Sequence, residues 1–531
     1  MSDVRRRAAW GWGFADEALT TEQIRALAPG LPQLLGFEGR DPVDPVPPED
    51  VVLDPPRLPL PAGDRLERVC STGTADRVAH AGGQAYPDLV RALHGEFPYA
   101  PDVVARPADE TDLAELLAWA GDVGAAVVPY GGGTSVVGGV RPVVPDGYAG
   151  VVTVDLTGMD RVLEVDPVSR AARIQAGATG PVLERQLAEH GLTLRFFPQS
   201  FELSTLGGWV ATRAGGHFAT GPTHIDDLVE SVRALTPVGV WESRRLPGSG
   251  AGPSPDRLLL GSEGALGVVT EAWVRVRPRP GARAGRSIRF ASWPAAVDAV
   301  RAIAQSGLQP ANCRLLDPLE AAQSGAGDGR DAVLVLGFEA PERPVDAELR
   351  QALDLCASYG GRWSDDAKPS GDGGADAAGT WRDAFLRMPY LRDGLIRLGV
   401  LADTFETAVT WDAFPDLHER VTAAVRDALG APCRVSVRFT HVYPDGPAPY
   451  VTVLAPTVPG EEIARWSAMK TAAGDAIAAA GGTITHHHAV GRDHRRWYDG
   501  QRPDPFAAAL RAAKAAVDPG ALLNPGVLVD P

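Results

Sequence analysis

Three of the chain's eleven histidines are consecutive: His486, His487 and His488, in GGTITHHHAVGRDH. With an ordinary pKa near 6.5, an imidazole serves either as a transition-metal ligand or as a proton carrier at physiological pH. The two uses need different geometry. A helix pattern, EEIARWSAMKTAAGDAIAAAGG, comes before them and stops at paired glycines, so TITHHH is expected to be a strand. Alternate strand residues face opposite ways, which puts His486 and His488 on one face and His487 on the other. That is poor geometry for a three-histidine cage. No metal is therefore expected, and proton transfer fits the residues better.

A second stretch, VVPYGGGTSVVGG, runs from an apolar strand into Gly131, Gly132 and Gly133, then Thr134 and Ser135. Consecutive glycines let backbone amides approach a ligand closely, which is how a pyrophosphate can be held without cationic side chains. No GK[ST] follows, so this is not a Walker loop. Val136 occupies the last glycine position of GxGxxG, and loop and strand follow where a helix would be needed, so it is not a Rossmann fingerprint. Alone, the triplet suits a turn as well as a phosphate cradle.

The elements around these stretches alternate. DVVARP, the helix pattern ETDLAELLAWAGDVG and AAVVPY form a βαβ unit, with Thr111 or Asp109 as helix cap. A strand VVTVDL, a pair around RVLEVDPVSRAARIQAG, a helix GPVLERQLAEHG and a hairpin VESVRALTPVGVWES with Gly239 at its turn follow. The region closes near residue 280 with RLLLGSEGALGVVTEAWVRVRP. The order is α/β or α+β. Residues 1–96 read as a segment wrapping the main body, since DPVDPVPPEDVVLDPPRLPLP lacks the free φ angles and donors of regular structure. Residues 281–485 read as a second unit with helices such as PAAVDAVRAIAQSG and strands such as PYVTVLAP. Within it, the Gly- and Asp-rich stretch from Asp365 to Thr380 reads as a surface loop, a candidate lid or a disordered insertion. Residues 486–531 carry the histidines and a short helix.

Composition sets outer bounds. A net charge of -16 excludes general affinity for nucleic acid or anionic membrane, so any phosphate site must be built locally. Cys70, Cys313, Cys356 and Cys433 are far apart and form no CxxC pair, which excludes a disulfide framework or structural zinc and points to a reducing compartment. The start MSDVRRRAAWGWGFADEALT lacks a secretory pattern, and a cytoplasmic location is expected.

In their order, PYGGGTSV, PQSFELSTLGGWVATRAGG and GSEGALGVVTEA resemble the FAD-binding domain of the vanillyl-alcohol oxidase and p-cresol methylhydroxylase superfamily. WGWGFAD, ADRVAHAGGQAYPDLV, CRLLD, PYLRDGLIRLGVLADTFETAVTW and HHHAVG narrow the likeness, along nearly the whole chain, to the alkyldihydroxyacetonephosphate (alkylglycerone-phosphate) synthase family. The resemblance implies an α+β fold, with a two-subdomain FAD-binding domain at 97–280 and an α+β cap with an antiparallel sheet at 281–485. It implies FAD contacts from Pro129, Tyr130, Gly131, Gly132, Gly133, Thr134 and Ser135. A second set is Gln199, Ser200, Phe201, Glu202, Leu203, Ser204 and Thr205, and a third is Thr212, Arg213, Ala214 and Gly215. The fourth is Glu263, Gly264, Ala265, Leu266, Gly267, Val268 and Val269, joined by Arg314 of CRLLD. No histidine follows the glycine triplet, so non-covalent FAD is expected. Gln199 stands where the family usually has Asp, and Phe196 where it often has His.

The resemblance also makes Tyr450 the catalytic tyrosine, Arg392 a substrate-binding arginine and His486, His487 and His488 proton-transfer groups. A phenol is a poor base at neutral pH, so Arg392 or Arg438 is expected beside Tyr450 to favour its ionised form. The implied reaction replaces the acyl group of acyl-dihydroxyacetone phosphate by a long-chain alcohol through an adduct at flavin N5. Lipid-like substrates, no nucleic acid, peripheral membrane contact and a homodimer complete the expectation. Two alternatives stand beside it: an FAD-linked oxidase or dehydrogenase of a 2-hydroxy acid or other alcohol, and a flavin-binding protein without catalysis.

Overall fold

The computed structural model describes residues 7–364 and 377–530. Three sheets carry the architecture. In the first, the strands Val103–Ala105 and Ala125–Tyr130 both pair in parallel with Gly150–Asp155 between them, and the helix Glu110–Asp122 connects them. Asp109 caps that helix by accepting the amides of Thr111 and Asp112. Aliphatic side chains from this helix and the sheet form one core.

The second sheet is antiparallel, in the order Val162–Asp166, Ala171–Gln175, Val268–Arg275, Val229–Thr236, Gly239–Glu242. The hairpin expected in VESVRALTPVGVWES turns through Pro237 and Val238, and Gly239, at φ 136°, opens the return strand opposite Thr236. Helices Gly180–Ala188 and Leu206–Thr212 pack on its apolar face around Trp209.

The third sheet has six antiparallel strands, in the order Ala282–Phe290, Ala332–Ala340, Asn312–Leu316, Arg434–Val442, Pro447–Pro456, Val400–Glu406. Strand alternation divides its two faces. Val435, Val437, Val451, Val453, Leu401 and Phe405 point into a core shared with helices Phe414–Leu429 and Glu462–Ala479. On the opposite face, Val400, Ala402 and Leu454 pack against Ile24, Leu31 and Leu35 of the N-terminal segment, and Ser436 and Arg438 meet Glu320. Cross-strand register lines up Glu406 with Tyr450, Tyr450 with Arg438, and Arg438 with Leu316, two residues from Arg314. Glu339 and Arg283 sit opposite each other at the other edge of the sheet.

The Pro-rich stretch from residue 41 to 61 contains only the 3-10 turn Pro48–Asp50, while short helices flank it. Residues 365–376 of the expected loop lie outside the described residues, and the helix Ala377–Arg397 takes up the rest. Among the described residues, no helix is long and apolar enough to cross a membrane.

Candidate active site

TITHHH is not a strand. It is a bent loop, because the carboxylate of Glu406 gathers its backbone. Glu406 accepts the amide of His486, the amides of His487 (3.0 Å) and His488 (2.9 Å), and the Thr485 hydroxyl (2.7 Å). Converging donors of this kind hold an anion strongly. Burial opposes ionisation of Glu406, but the nearby His488 and His486, Thr485 and the backbone amide win and hold its pKa down at about 2.

The histidines therefore do not alternate between two faces. His486 and His487 meet, with Nδ1 atoms 2.9 Å apart. His441 joins them: one ring nitrogen from each of His441, His486 and His487 lies within 4.8 Å of the others, a spacing that could hold a metal ion. The hydrogen bonds suit proton passage instead, since the ring nitrogens of His441 and His486 are already engaged. His441 Nε2 meets the Gly216 carbonyl and its Nδ1 the Thr440 hydroxyl, at 3.1 Å each. His486 Nε2 is 2.7 Å from the Tyr443 hydroxyl, itself 3.0 Å from Thr223 Oγ1. Burial first, then neighbouring histidines, pushes His486 and His487 well below the usual imidazole value, so both are neutral at pH 7. If His487 Nδ1–H donates to His486, and His486 Nε2–H to Tyr443, then His487 Nε2 keeps a lone pair. That nitrogen has no hydrogen bond among the described residues.

Tyr450 stands beside this loop, its ring nearly parallel to that of His487 at 6.2 Å and edge-on to His488 at 5.5 Å. Its hydroxyl is 2.8 Å from Thr404 Oγ1. The cation expected at Tyr450 is Arg438, whose guanidinium carbon lies 3.9 Å from the ring centroid and which Glu320 anchors by a salt bridge. The described contacts of Arg392 are instead with Gln84 and Asp393. Gln84 donates its amide to Ser135, so Arg392 stands against the glycine loop. The expected lowering of the phenol pKa is not met: burial outweighs Arg438 and Thr404, and the net direction is up.

The glycine-rich segments pack on one another. A Cβ on Gly132 would lie 1.8 Å from the Leu203 carbonyl, and one on Gly131 would lie 2.4 Å from Thr205 Oγ1. Thr205 caps the helix Leu206–Thr212. Gly215 abuts His487 and His441, linking the third segment to the histidines. Glu263 uses its carboxylate to hold the amides of Val490 (2.9 Å) and Gly491 (2.8 Å), which docks the histidine loop on the FAD-binding half. The side chains of Ala214, Leu266, Val268 and Val269 are core, so only their backbone can serve a ligand. Arg314, on the cap sheet, donates to the His217 carbonyl at 3.2 Å. Sequence reading missed Glu406, His441, Tyr443 and Thr404. An acid at the end of the apolar run VLADTFE was the available signal for the first, because a buried carboxylate requires partners. A β-bulge between Phe439 and His441 turns His441 toward the site, and nothing in the sequence marks it.

A family model described as FAD binding domain matches residues 101–243, and one described as FAD linked oxidases, C-terminal domain, matches 279–528. The alkyldihydroxyacetonephosphate synthases of Dictyostelium discoideum and Caenorhabditis elegans are each 30% identical to this chain, over 85% and 86% of it and 77% and 80% of theirs. The chain belongs to the alkyldihydroxyacetonephosphate synthase family. A solved structure of such a synthase superposes with a TM-score of 0.80 over 98% of both chains, at 26% identity. p-Cresol methylhydroxylase, at 16% identity and a TM-score of 0.69 over 87% of this chain and 94% of its own, shares the fold.

As a family member the chain is a flavoprotein with FAD as cofactor. The residues present fit that group. The amides of Gly132 to Ser135 donate to no acceptor among the described residues, leaving a row of N–H groups free for phosphate oxygens. Ser262 Oγ, in the GSEGA turn, is buried without a partner among the described residues. Because the Leu203 carbonyl leaves no room for a side chain, Gly132→Ala is expected to yield protein without bound FAD. The ratio of flavin to protein absorbance after purification measures this.

Proposed function

We propose that this flavoenzyme exchanges the acyl group of acyl-dihydroxyacetone phosphate for a long-chain alcohol, giving an ether-lipid precursor, with FAD held non-covalently. The observation that carries the reading is the placement of Tyr450 beside His487 at the seam between the cap and the FAD loops. When bound, the flavin supplies a centre that can hold the substrate carbon between departure of one group and arrival of the other.

The protein's own groups divide the proton work. Tyr450 Oη is the acceptor for a proton leaving that carbon, with Arg438 against its ring favouring the charged form. His487 Nε2 takes the proton of the incoming alcohol, and the imidazolium formed is stabilised by Glu406, 3.8 Å from its Nδ1. Arg392, at the glycine loop, is assigned to the substrate's carboxylate or phosphate oxygens. Residues 97–280 serve as the FAD-binding domain and 281–485 as the cap. Lipid-like substrates, a peripheral membrane contact, a homodimer and a cytoplasmic location belong to the same reading.

Purified yellow protein given acyl-dihydroxyacetone phosphate and hexadecanol is expected to release fatty acid and form alkyl ether, with the flavin oxidised at the end. Flavin bleaching by D-lactate without ether formation would instead assign the chain to the 2-hydroxy-acid oxidoreductases. His487→Ala is expected to slow alcohol incorporation about 100-fold. Release of fatty acid to water should be slowed less, so the two products measured together test whether His487 serves the alcohol.

A further inference from the structure

His217 follows Gly216, whose carbonyl meets His441 Nε2, so it borders the proposed reaction site. Both of its ring nitrogens are buried, and neither has a hydrogen-bond partner among the described residues. An imidazole brings at least one donor, and stranding both nitrogens in the interior is unfavourable unless a ligand is to meet them.

The surroundings set the charge of that ligand. Phe197 and Phe218 flank the His217 ring at 4.8 and 4.2 Å. Beyond them, Arg195 lies 5.1 Å from the Phe197 centroid and Arg277 lies 4.6 Å from that of Phe218. Arg195 is tied to Glu339 of the cap sheet, and Arg283 reaches the same carboxylate at 4.0 Å. The Arg277 guanidinium has neither ion pair nor hydrogen bond among the described residues, only the Phe218 face. Two guanidinium groups thus share one carboxylate while Arg277 stands unpaired beside them, and burial disfavours the charge on Arg277, with Glu339 opposing that effect and Arg195 adding to it. A bound anion would reverse that, and the planar fork of arginine suits phosphate oxygens.

We propose that this seam between the FAD-binding half and the cap binds a phosphomonoester dianion, with Arg277 and His217 as direct ligands and the Arg195–Glu339 pair closing the cap over it. The assignment of that phosphate to the head group of acyl-dihydroxyacetone phosphate rests on the proposed function. The seam's affinity for phosphate does not.

Calorimetry on the resting holoenzyme with inorganic phosphate and with dihydroxyacetone phosphate tests the site directly. Both are expected to bind, and Arg277→Ala to weaken each at least 10-fold with flavin content unchanged. Arg279→Ala, an exposed neighbour, should leave binding as it was. In turnover, inorganic phosphate should compete with acyl-dihydroxyacetone phosphate, and Arg277→Ala should raise KM about 10-fold while kcat stays within about 3-fold. Equal phosphate affinity in Arg277→Ala and parent, or non-competitive inhibition by phosphate, would overturn the proposal. Phosphate binding lost in Arg277→Ala, in a protein that makes no ether, would keep the seam and remove the synthase reading. Ether formation with KM unchanged in the variant would do the reverse.

Discussion

Tyr450→Phe is expected to lower turnover about 1,000-fold while the protein keeps its FAD. The substitution removes one oxygen from a fully built site. Thr404 loses a hydroxyl partner, at a cost of about 1 kcal/mol, and the ring keeps its place against Arg438 and His487. Flavin absorbance and melting temperature should hardly move. Near-normal turnover would make Tyr450 a packing residue. The raised phenol pKa adds a second signature. Below that pKa the phenolate fraction falls 10-fold per pH unit, so log kcat/KM should climb with a slope of about one from pH 7 to 9 instead of levelling off. Arg438→Met should move the alkaline limb further up, since the cation facing the ring is what opposes burial. A profile flat above pH 7 would show that the phenol's ionisation does not limit the rate.

The sequence carried the local parts of this site and lost the ones made by long-range contact. The helix cap, narrowed to Thr111 or Asp109 and made by Asp109, the hairpin VESVRALTPVGVWES and the strand PYVTVLAP depend on near neighbours. The glycine triplet is legible for the same reason, although the cause of its tightness, the Leu203 carbonyl, is some seventy residues away. The histidine loop shows the opposite case. TITHHH has strand composition, yet Glu406, eighty residues earlier, supplies a carboxylate that converging amides satisfy better than a ladder would. The choice of Arg438 over Arg392 as partner of Tyr450 follows from sheet register, which a single strand does not reveal. The direction of the tyrosine's pKa depends on burial, which the sequence does not display either.

Glu406→Gln is expected to uncouple the histidine loop from the cap. An amide keeps one acceptor oxygen and turns an NH2 toward donors that already point at it, so at least one of the three histidine amides is left facing a donor. The charge facing His487 and His488 disappears as well. Turnover should fall about 100-fold, because the imidazolium formed on His487 loses its counter-charge. The stability effect has a defined sign. A carboxyl held at about 2 when folded, and near its ordinary value when unfolded, stabilises the fold above pH 4.5 by at most about 3 kcal/mol. That contribution fades as pH falls from 4.5 toward 2. Glu263 acts in the opposite sense: burial raises it to about 7 despite the Val490 and Gly491 amides, so its contribution is full below pH 4.5 and is lost as pH rises through 7. The parent should therefore decline toward acid more steeply than Glu406→Gln, which keeps the share of other lowered carboxylates such as Asp102, Asp155 and Asp166, while both keep the neutral-side decline. Melting temperatures of the two proteins between pH 3 and 8, read by flavin release, test this. If the gap between parent and variant is as wide at pH 3 as at pH 7, the ionised carboxylate is not what holds the histidine loop.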